Sequence, residues 1–214
     1  MRLRVNPRAR RITLRVSSVD GAITLTMPPR LPLAEAEAFL ARQAEWLRSR
    51  LAAAPTIIKP MAEGALPFQG ETLPLITHSK ARALFAPGAL YVPTSNPGPA
   101  LARLLKARAR VALVAASDHY AAALGRSYGK MSLRDPRGRW GSCSARGDLM
   151  YAWRLIMAPP NVLNYVAAHE IAHLAEMNHS TAFWDVVARL MPDYEAPRLW
   201  LRQQGAALHR YNFS

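Results

Sequence analysis

Three histidines and a glutamate near residue 170 have the types and spacing of a hydrolytic metal site. His169 and His173 are four residues apart, so on a helix both imidazoles lie on one face and can bind the same ion. Glu170 is displaced by one position around the helix, where its carboxylate can contact a water on that ion without being a ligand. Zinc lowers the pKa of such a water to near neutrality, and the carboxylate can then accept its proton. This pattern predicts a zinc-dependent hydrolase with Glu170 as the general base.

A catalytic zinc site needs a third protein ligand, and His179 is the candidate. It follows His173 by six residues, at a point where the polar sequence Asn-His-Ser should end the helix and turn the chain back. Zinc peptidases with the longer HExxHxxGxxH motif have the same histidine spacing, although Glu176 stands here in place of their glycine. We therefore expect His169, His173 and His179 to bind the metal. Zinc is the default for three histidines, and Mn²⁺, Fe²⁺ and Ni²⁺ remain alternatives.

Several side chains near the motif have roles that the sequence leaves open. Glu176 could face the site, and Asp185 could accept a hydrogen bond from a ligand histidine. Cys143 could approach the metal, although no spacing requires it. The side chain that stabilises a developing oxyanion cannot be chosen from the sequence.

The first half of the chain has the patterns of strands and one helix. Residues 11–16 and 22–27 alternate and are rich in β-branched side chains, so they predict an antiparallel hairpin with its turn at 17–21. Residues 33–53 have helical periodicity. Residues 56–93 are divided by proline and glycine into short extended pieces, which we interpret as further strands of the same sheet.

The second half is mainly helical and carries the motif. We expect a long helix at about 100–124, strands at 131–134 and 149–157, the motif helix after Pro159 and Pro160 with Asn161 as its cap, and helices at 180–190 and 193–208. The fold class is therefore α+β. Residues 94–99 are the best linker, which divides the chain into an N-terminal β-rich region with one helix at 1–96 and a catalytic domain at 97–214, unless the two pack as one compact unit.

The charge balance bears on partners. The chain has 28 Lys plus Arg against 14 Asp plus Glu, a net charge of +14, and its first sixteen residues contain six arginines and no acid. Such a surface attracts polyanions, including nucleic acid, although arginine could also serve only as the solubilising residue.

No apolar run approaches the roughly 20 residues of a membrane helix, no signal peptide is recognisable, and Cys143 is the only cysteine. We expect a soluble cytoplasmic protein without membrane contact.

Several further motifs carry a family resemblance. RWGSCS at 139–144, WRLIMAPP at 153–160, HEIAHL at 169–174 and the basic RARRITLRV at 8–16 occur in this order. Together they resemble the YgjP-like metallopeptidase domain family. The resemblance implies a minimal zincin-like catalytic core related to the SprT-like proteins, with His169, His173 and His179 as metal ligands and Glu170 as catalytic base. In the RWGSC segment we favour a packing role for Trp140 and a tight bend at Gly141.

Three functions compete. The first is a metallopeptidase, in which metal and Glu170 direct water at a peptide carbonyl. The second is a nucleotide phosphohydrolase acting on nucleoside triphosphates, with arginines holding the phosphates. Against it, the chain has neither a P-loop nor a cluster of acids for Mg²⁺. The third is a DNA-associated protease like the SprT-like proteins, targeted by the basic regions. A non-catalytic binding module is the least favoured alternative, because it would not explain the presence of Glu170 in the motif.

Overall fold

The computed structural model of the chain describes residues 1–17, 21–52 and 56–214. They form two compact units, Met1–Ile57 and Ile58–Ser214. The sequence placed the division at residue 96 instead. Residues 58–96 belong with the second unit because Leu66, Phe68 and Leu90 are buried in one hydrophobic core with its helices. The predicted turn at 17–21 falls mainly on 18–20, outside the described residues.

The first unit is a three-stranded sheet with two helices. Its elements are β1 (Arg2–Val5), β2 (Thr13–Val16), β3 (Ile23–Met27), α1 (Leu33–Arg42) and α2 (Ala44–Ala52). The order is β1-β3-β2, with β2 antiparallel to β3 as expected. The sheet is mixed rather than wholly antiparallel, because β1 pairs in parallel with β3. The single helix expected at 33–53 is interrupted at Gln43, whose amide donates to the carbonyls of Phe39 and Leu40.

The second unit begins with a sheet of its own. Its elements are α3 (Pro60–Glu63), β4 (Ala65–Phe68), β5 (Glu71–His78), β6 (Leu84–Ala86) and β7 (Ala89–Pro93). Their order is β4-β5-β7-β6, and within the described residues they do not continue the first sheet, contrary to the expectation. This second sheet packs instead against the long helix that follows it in the chain, because β7 lies against that helix.

The remaining elements hold the motif. They are α4 (Pro97–Leu124), β8 (Met131–Arg134), β9 (Gly141–Cys143), β10 (Leu149–Ala152), a 3₁₀ helix (Trp153–Met157), α5 (Pro160–Ala172), α6 (Thr181–Leu190) and α7 (Glu195–Leu208). The three strands pair in the order β8-β10-β9, which leaves β9 at an edge. The strand expected at 149–157 ends at Ala152, because the last five residues turn into the buried 3₁₀ helix.

Helix α5 is the central element of this core. Proline suits its first position, because that residue's N–H would have no partner within the helix. Its apolar side chains are spread around the helix rather than confined to one face, and nine of its residues are buried between α4 and the C-terminal helices. A helix that is apolar on most sides belongs inside a core. The α+β class, with the HExxH segment on a helix, is confirmed. No described helix combines the length and apolarity that crossing a membrane requires.

Candidate metal centre

The three histidines expected as ligands lie together at the end of α5. His169 and His173 lie one turn apart, and the turn after α5 brings back His179, just before α6 begins. One ring nitrogen from each lies within 4.8 Å of the others. The two Nε2 atoms of His169 and His179 are 3.1 Å apart, close to the separation of about 3.4 Å for two nitrogens on one tetrahedral zinc. The three residues therefore could hold a metal ion.

The protonation of the histidines also suits a metal. Nδ1 of His173 lies 3.0 Å from the carbonyl oxygen of Glu176, so this nitrogen carries the hydrogen and Nε2 keeps its lone pair. Burial, followed by the neighbouring imidazoles of His173 and His179, lowers the pKa of His169 to about 3 in the metal-free chain. His169 is therefore neutral at physiological pH, as a ligand must be.

Aromatic rings and one carbonyl orient these imidazoles. His169 packs edge-on against Phe183 at 4.9 Å between ring centroids, and His179 stacks on Trp184 at 6.0 Å. Among the described residues, no acceptor lies within hydrogen-bond distance of the buried Nδ1 of His169. Asp185 is exposed and does not take that place. Glu176 contributes through its backbone carbonyl to His173.

Glu170 lies in a buried environment that controls its proton. Its side chain is 5% exposed, and burial raises the pKa of its carboxyl to about 8, although Arg139 and a hydrogen bond from the backbone N–H of Cys143 oppose the rise. Desolvation disfavours the charged form, so the carboxyl holds a proton more readily than an exposed one would. Such a pKa suits a group that takes and returns a proton near neutral pH.

Gly141 makes room for this carboxyl, a role that sequence reasoning missed. A Cβ at this position would lie 2.6 Å from Cγ and 2.7 Å from Cδ of Glu170. The glycine of RWGSC is therefore needed for close approach of the carboxylate to β9, rather than for the tight bend that we favoured. Its neighbour Trp140 does pack, stacking on His209 at 4.8 Å between ring centroids.

Replacing Gly141 by alanine is expected to displace the Glu170 carboxyl and lower turnover by about a hundredfold or more, with metal binding retained. The measurement is the turnover number of the metal-loaded variant together with its metal content. The matched control is Gly138→Ala, since nothing lies within 4 Å of an added Cβ there. Equal activity of both variants would show that Glu170 tolerates the methyl group.

The raised pKa of Glu170 has a consequence for the metal-free protein. The unfolded chain loses this proton near the ordinary value of 4.5 and the folded chain only near 8, so in wild type the folded state loses stability relative to the unfolded state as pH rises between them. Glu170→Gln removes this penalty. We expect the variant to be more stable than wild type in chelator, with a gap that grows from pH 5 to pH 8 by at most about 1.4 kcal/mol per pH unit. Chemical denaturation at several pH values measures it, and a constant gap would contradict the buried, protonated carboxyl.

Arg198 and its aromatic neighbours form the other side of the site and were also missed. The guanidinium carbon of Arg198 lies 4.0 Å from the ring centroid of Trp184, which stacks in turn on Tyr194. The positive charge of Arg198 is one of the causes that lower the pKa of His169 and counteract the rise at Tyr165. No described carboxylate forms an ion pair with it. This half-buried cation is therefore held by stacking near the histidines, and it can attract an anion.

Cys143 interacts with Glu170 through its backbone N–H, and its thiol is not a candidate metal ligand. Burial, together with the nearby Glu170 and Asp148 carboxylates, raises the pKa of the thiol to about 11, and Cys143 is not among the described residues whose ligand atoms converge. The thiol is therefore protonated at neutral pH and is a poor metal ligand.

The chain matches the model of a known family. The family model for the YgjP-like, metallopeptidase domain matches residues 10–204, which is most of the chain and includes all four residues of the candidate centre. The chain belongs to this family. The description of the family as a metallopeptidase domain agrees with a metal-dependent hydrolase, and the cluster of three histidines could hold the metal.

Two individual proteins are similar over shorter stretches. A protein of Escherichia coli (strain K12) named UTP pyrophosphatase is 32% identical over 71 residues, which are 31% of this YgjP-like chain and 42% of the relative. The chain therefore matches less than half the length of this relative. The metallopeptidase zymogen of Pyrococcus abyssi abylysin, a solved structure, is 21% identical with a TM-score of 0.39, over 43% of this chain and 95% of the other.

Proposed function

We propose that this YgjP-like chain is a zinc-dependent metallopeptidase in which His169, His173 and His179 bind the metal and Glu170 is the general base. The observation that carries the proposal is the position of Glu170, which is buried, accepts a hydrogen bond from the N–H of Cys143, and directly follows His169, one of three converging imidazoles. Burying a carboxyl costs stability, so the buried Glu170 with its raised pKa is better explained by a function than by packing.

In this proposal the metal, Glu170 and Arg198 have separate roles in hydrolysis. A bound divalent ion would acidify a water molecule and polarise the bond under attack. Glu170 takes the proton of the attacking water and delivers it to the leaving amine, which its pKa near neutrality allows in both directions. To Arg198, which is held against Trp184 and acts electrostatically on His169, we assign the stabilisation of the negative charge that develops on the substrate oxygen.

The edge position of β9 supports a peptide substrate. Among the described strands, β9 pairs only with β10, and the N–H of Cys143 in β9 donates a hydrogen bond to Glu170. An extended peptide can add to such an edge through backbone hydrogen bonds, which would place its carbonyl groups beside the base. Binding of this kind depends little on side chains, so we expect cleavage of unfolded proteins at several sites.

A nucleotide phosphohydrolase is the second candidate, and two observations favour it. The E. coli relative carries the name UTP pyrophosphatase. Arg198 and Arg139 both act electrostatically on residues of the centre, at His169 and Glu170 respectively. Guanidinium groups bind phosphate oxygens in pairs of hydrogen bonds. The same base would then direct water at phosphorus instead of carbon.

Hydrolysis of UTP and of an unfolded protein, measured side by side with zinc-loaded enzyme, tests the proposal. We expect cleavage of the protein, and a fall in its rate by about 10²- to 10³-fold in Arg198→Gln, because that charge is needed in the transition state. The matched control is Arg110→Gln, an exposed arginine on α4. Turnover of UTP alone, lost in Arg198→Gln, would replace the peptidase by the phosphohydrolase.

A further inference from the structure

In the strands that the structure describes, the outer face of the N-terminal sheet carries only arginine and threonine. Cross-strand pairing places Arg2, Thr24 and Arg15 in one row, and Arg4, Thr26 and Thr13 in the next. Side chains that are directly opposite on paired strands lie on the same face, and residues two apart along a strand do too. The two rows therefore form one continuous surface, which we call the arginine–threonine face.

The opposite face of this sheet is the apolar one. Leu25 and Met27 of β3 are buried there, and they pack with Ala36 of α1 and with Leu14 of β2. Along β3, Thr24 and Thr26 are half-buried, whereas Leu25 and Met27 are buried. The helices of the unit thus pack on this side against β2 and β3, although Leu3 and Val5 of β1 stay exposed there. They leave the arginine–threonine face uncovered within the unit.

The charges on this face are not neutralised. Arg2, Arg4 and Arg15 are exposed, and no described carboxylate forms an ion pair with any of them. Residues 1–17 contain no acid. Neighbouring strands are about 4.8 Å apart, so Arg2 and Arg15 on the two outer strands are about 10 Å apart at their backbones. Three like charges this close repel one another, which costs stability unless an anion binds across them.

We propose that the arginine–threonine face binds the phosphate backbone of duplex nucleic acid, without preference for sequence. Guanidinium and hydroxyl groups are the donors that most often contact phosphates, and this face offers three of each. It carries no aromatic side chain on which unpaired bases could stack, which favours a duplex over a single strand. The high charge density of a duplex lets one small face reach several phosphates. The inference does not depend on the reaction proposed above.

Binding of the full chain to a labelled 20-base-pair DNA, followed by fluorescence anisotropy at several salt concentrations, tests the inference. Replacing Arg2, Arg4 and Arg15 together by glutamine should weaken binding by about 10- to 100-fold near 0.1 M salt and reduce the salt slope by about two to three. The lysine triple variant should keep most of the affinity, because the contact is mainly electrostatic. Thermal unfolding of both variants checks that the sheet is intact.

The matched control removes three arginines from the helices of the same unit. Arg42, Arg48 and Arg50 are all exposed on α1 and α2, and their glutamine triple variant has the same net charge as the sheet variant. We expect its DNA affinity to remain within about twofold of wild type. Equal weakening by both triple variants would overturn the inference, because net charge alone would then explain binding.

Two other results would also contradict it. An equal or higher affinity for single-stranded DNA of the same length would exclude a duplex-backbone face. Binding to phosphatidylserine vesicles that depends on Arg2, Arg4 and Arg15, with DNA binding unchanged in the same variant, would assign the face to an anionic membrane surface. Hydrolytic turnover should be unchanged in both triple variants. A negative DNA-binding result would therefore not contradict the proposed hydrolase activity, and loss of the hydrolase proposal would not contradict DNA binding by this face.

Discussion

Replacing Glu170 by glutamine is expected to lower hydrolytic turnover by about 10³-fold or more while the metal stays bound. Glutamine is nearly isosteric and can still accept the hydrogen bond from the N–H of Cys143, so the site keeps its shape. It cannot accept a proton, and loss of a positioned general base removes about two to four orders of magnitude in rate. The measurement is the turnover number of the zinc-loaded variant, alongside its metal content by atomic emission.

Glu176→Gln is the matched control for this experiment. Glu176 lies six residues further along the chain and contacts His173 through its backbone carbonyl, which the substitution leaves in place. We expect its turnover to stay within a few-fold of wild type. Undiminished turnover in Glu170→Gln would remove the general-base assignment, whatever the substrate.

The second large effect is on metal binding. Replacing His169 or His179 by alanine leaves two imidazoles at a centre where three converge, and zinc sites with three protein ligands depend on each of them. We expect stoichiometric zinc binding to be lost, with less than about 0.1 equivalent retained after dialysis against a weak chelator. His119→Ala, at an exposed position of α4, is the matched control and should keep one full equivalent.

Retention of a full equivalent by either variant would remove that histidine from the proposed ligand set. The two variants are informative separately, because they come from different segments. His169 lies within α5, whereas His179 lies in the turn before α6. A loss confined to His169→Ala would mean that the turn does not contribute a ligand, and that the motif helix binds the metal with another group.

The sequence predicted the part of the site that is local. The spacing of His169 and His173 requires only helical geometry, and His179 is six residues away, so a single turn brings it back. The long helix α4 and the helices α6 and α7 were likewise placed to within a few residues, because each has its own apolar periodicity.

What the sequence could not supply depends on contacts between distant segments. Gly141 and Cys143 meet Glu170 only because β9 packs beside α5, and Arg198 reaches the site only through the position of α7. A glycine inside a strand often marks a close approach of another group, so Gly141 could have been noticed. The neighbouring sequence does not show that the approaching group is the Glu170 carboxyl. The domain boundary at residue 57 also depends on distant contacts. The strands of residues 58–96 pack into the core of the second unit, and the sequence did not show which core they would join.

Zinc titration of the metal-free protein, with hydrolysis recorded at each step, tests the central claim most directly. If His169, His173 and His179 form one catalytic metal centre with Glu170, activity should rise linearly from near zero and stop rising at one equivalent. The same titration of Glu170→Gln should bind one equivalent and remain almost inactive. Full activity in the presence of chelator, or activity that zinc leaves unchanged, would contradict a metal-dependent hydrolase at this site.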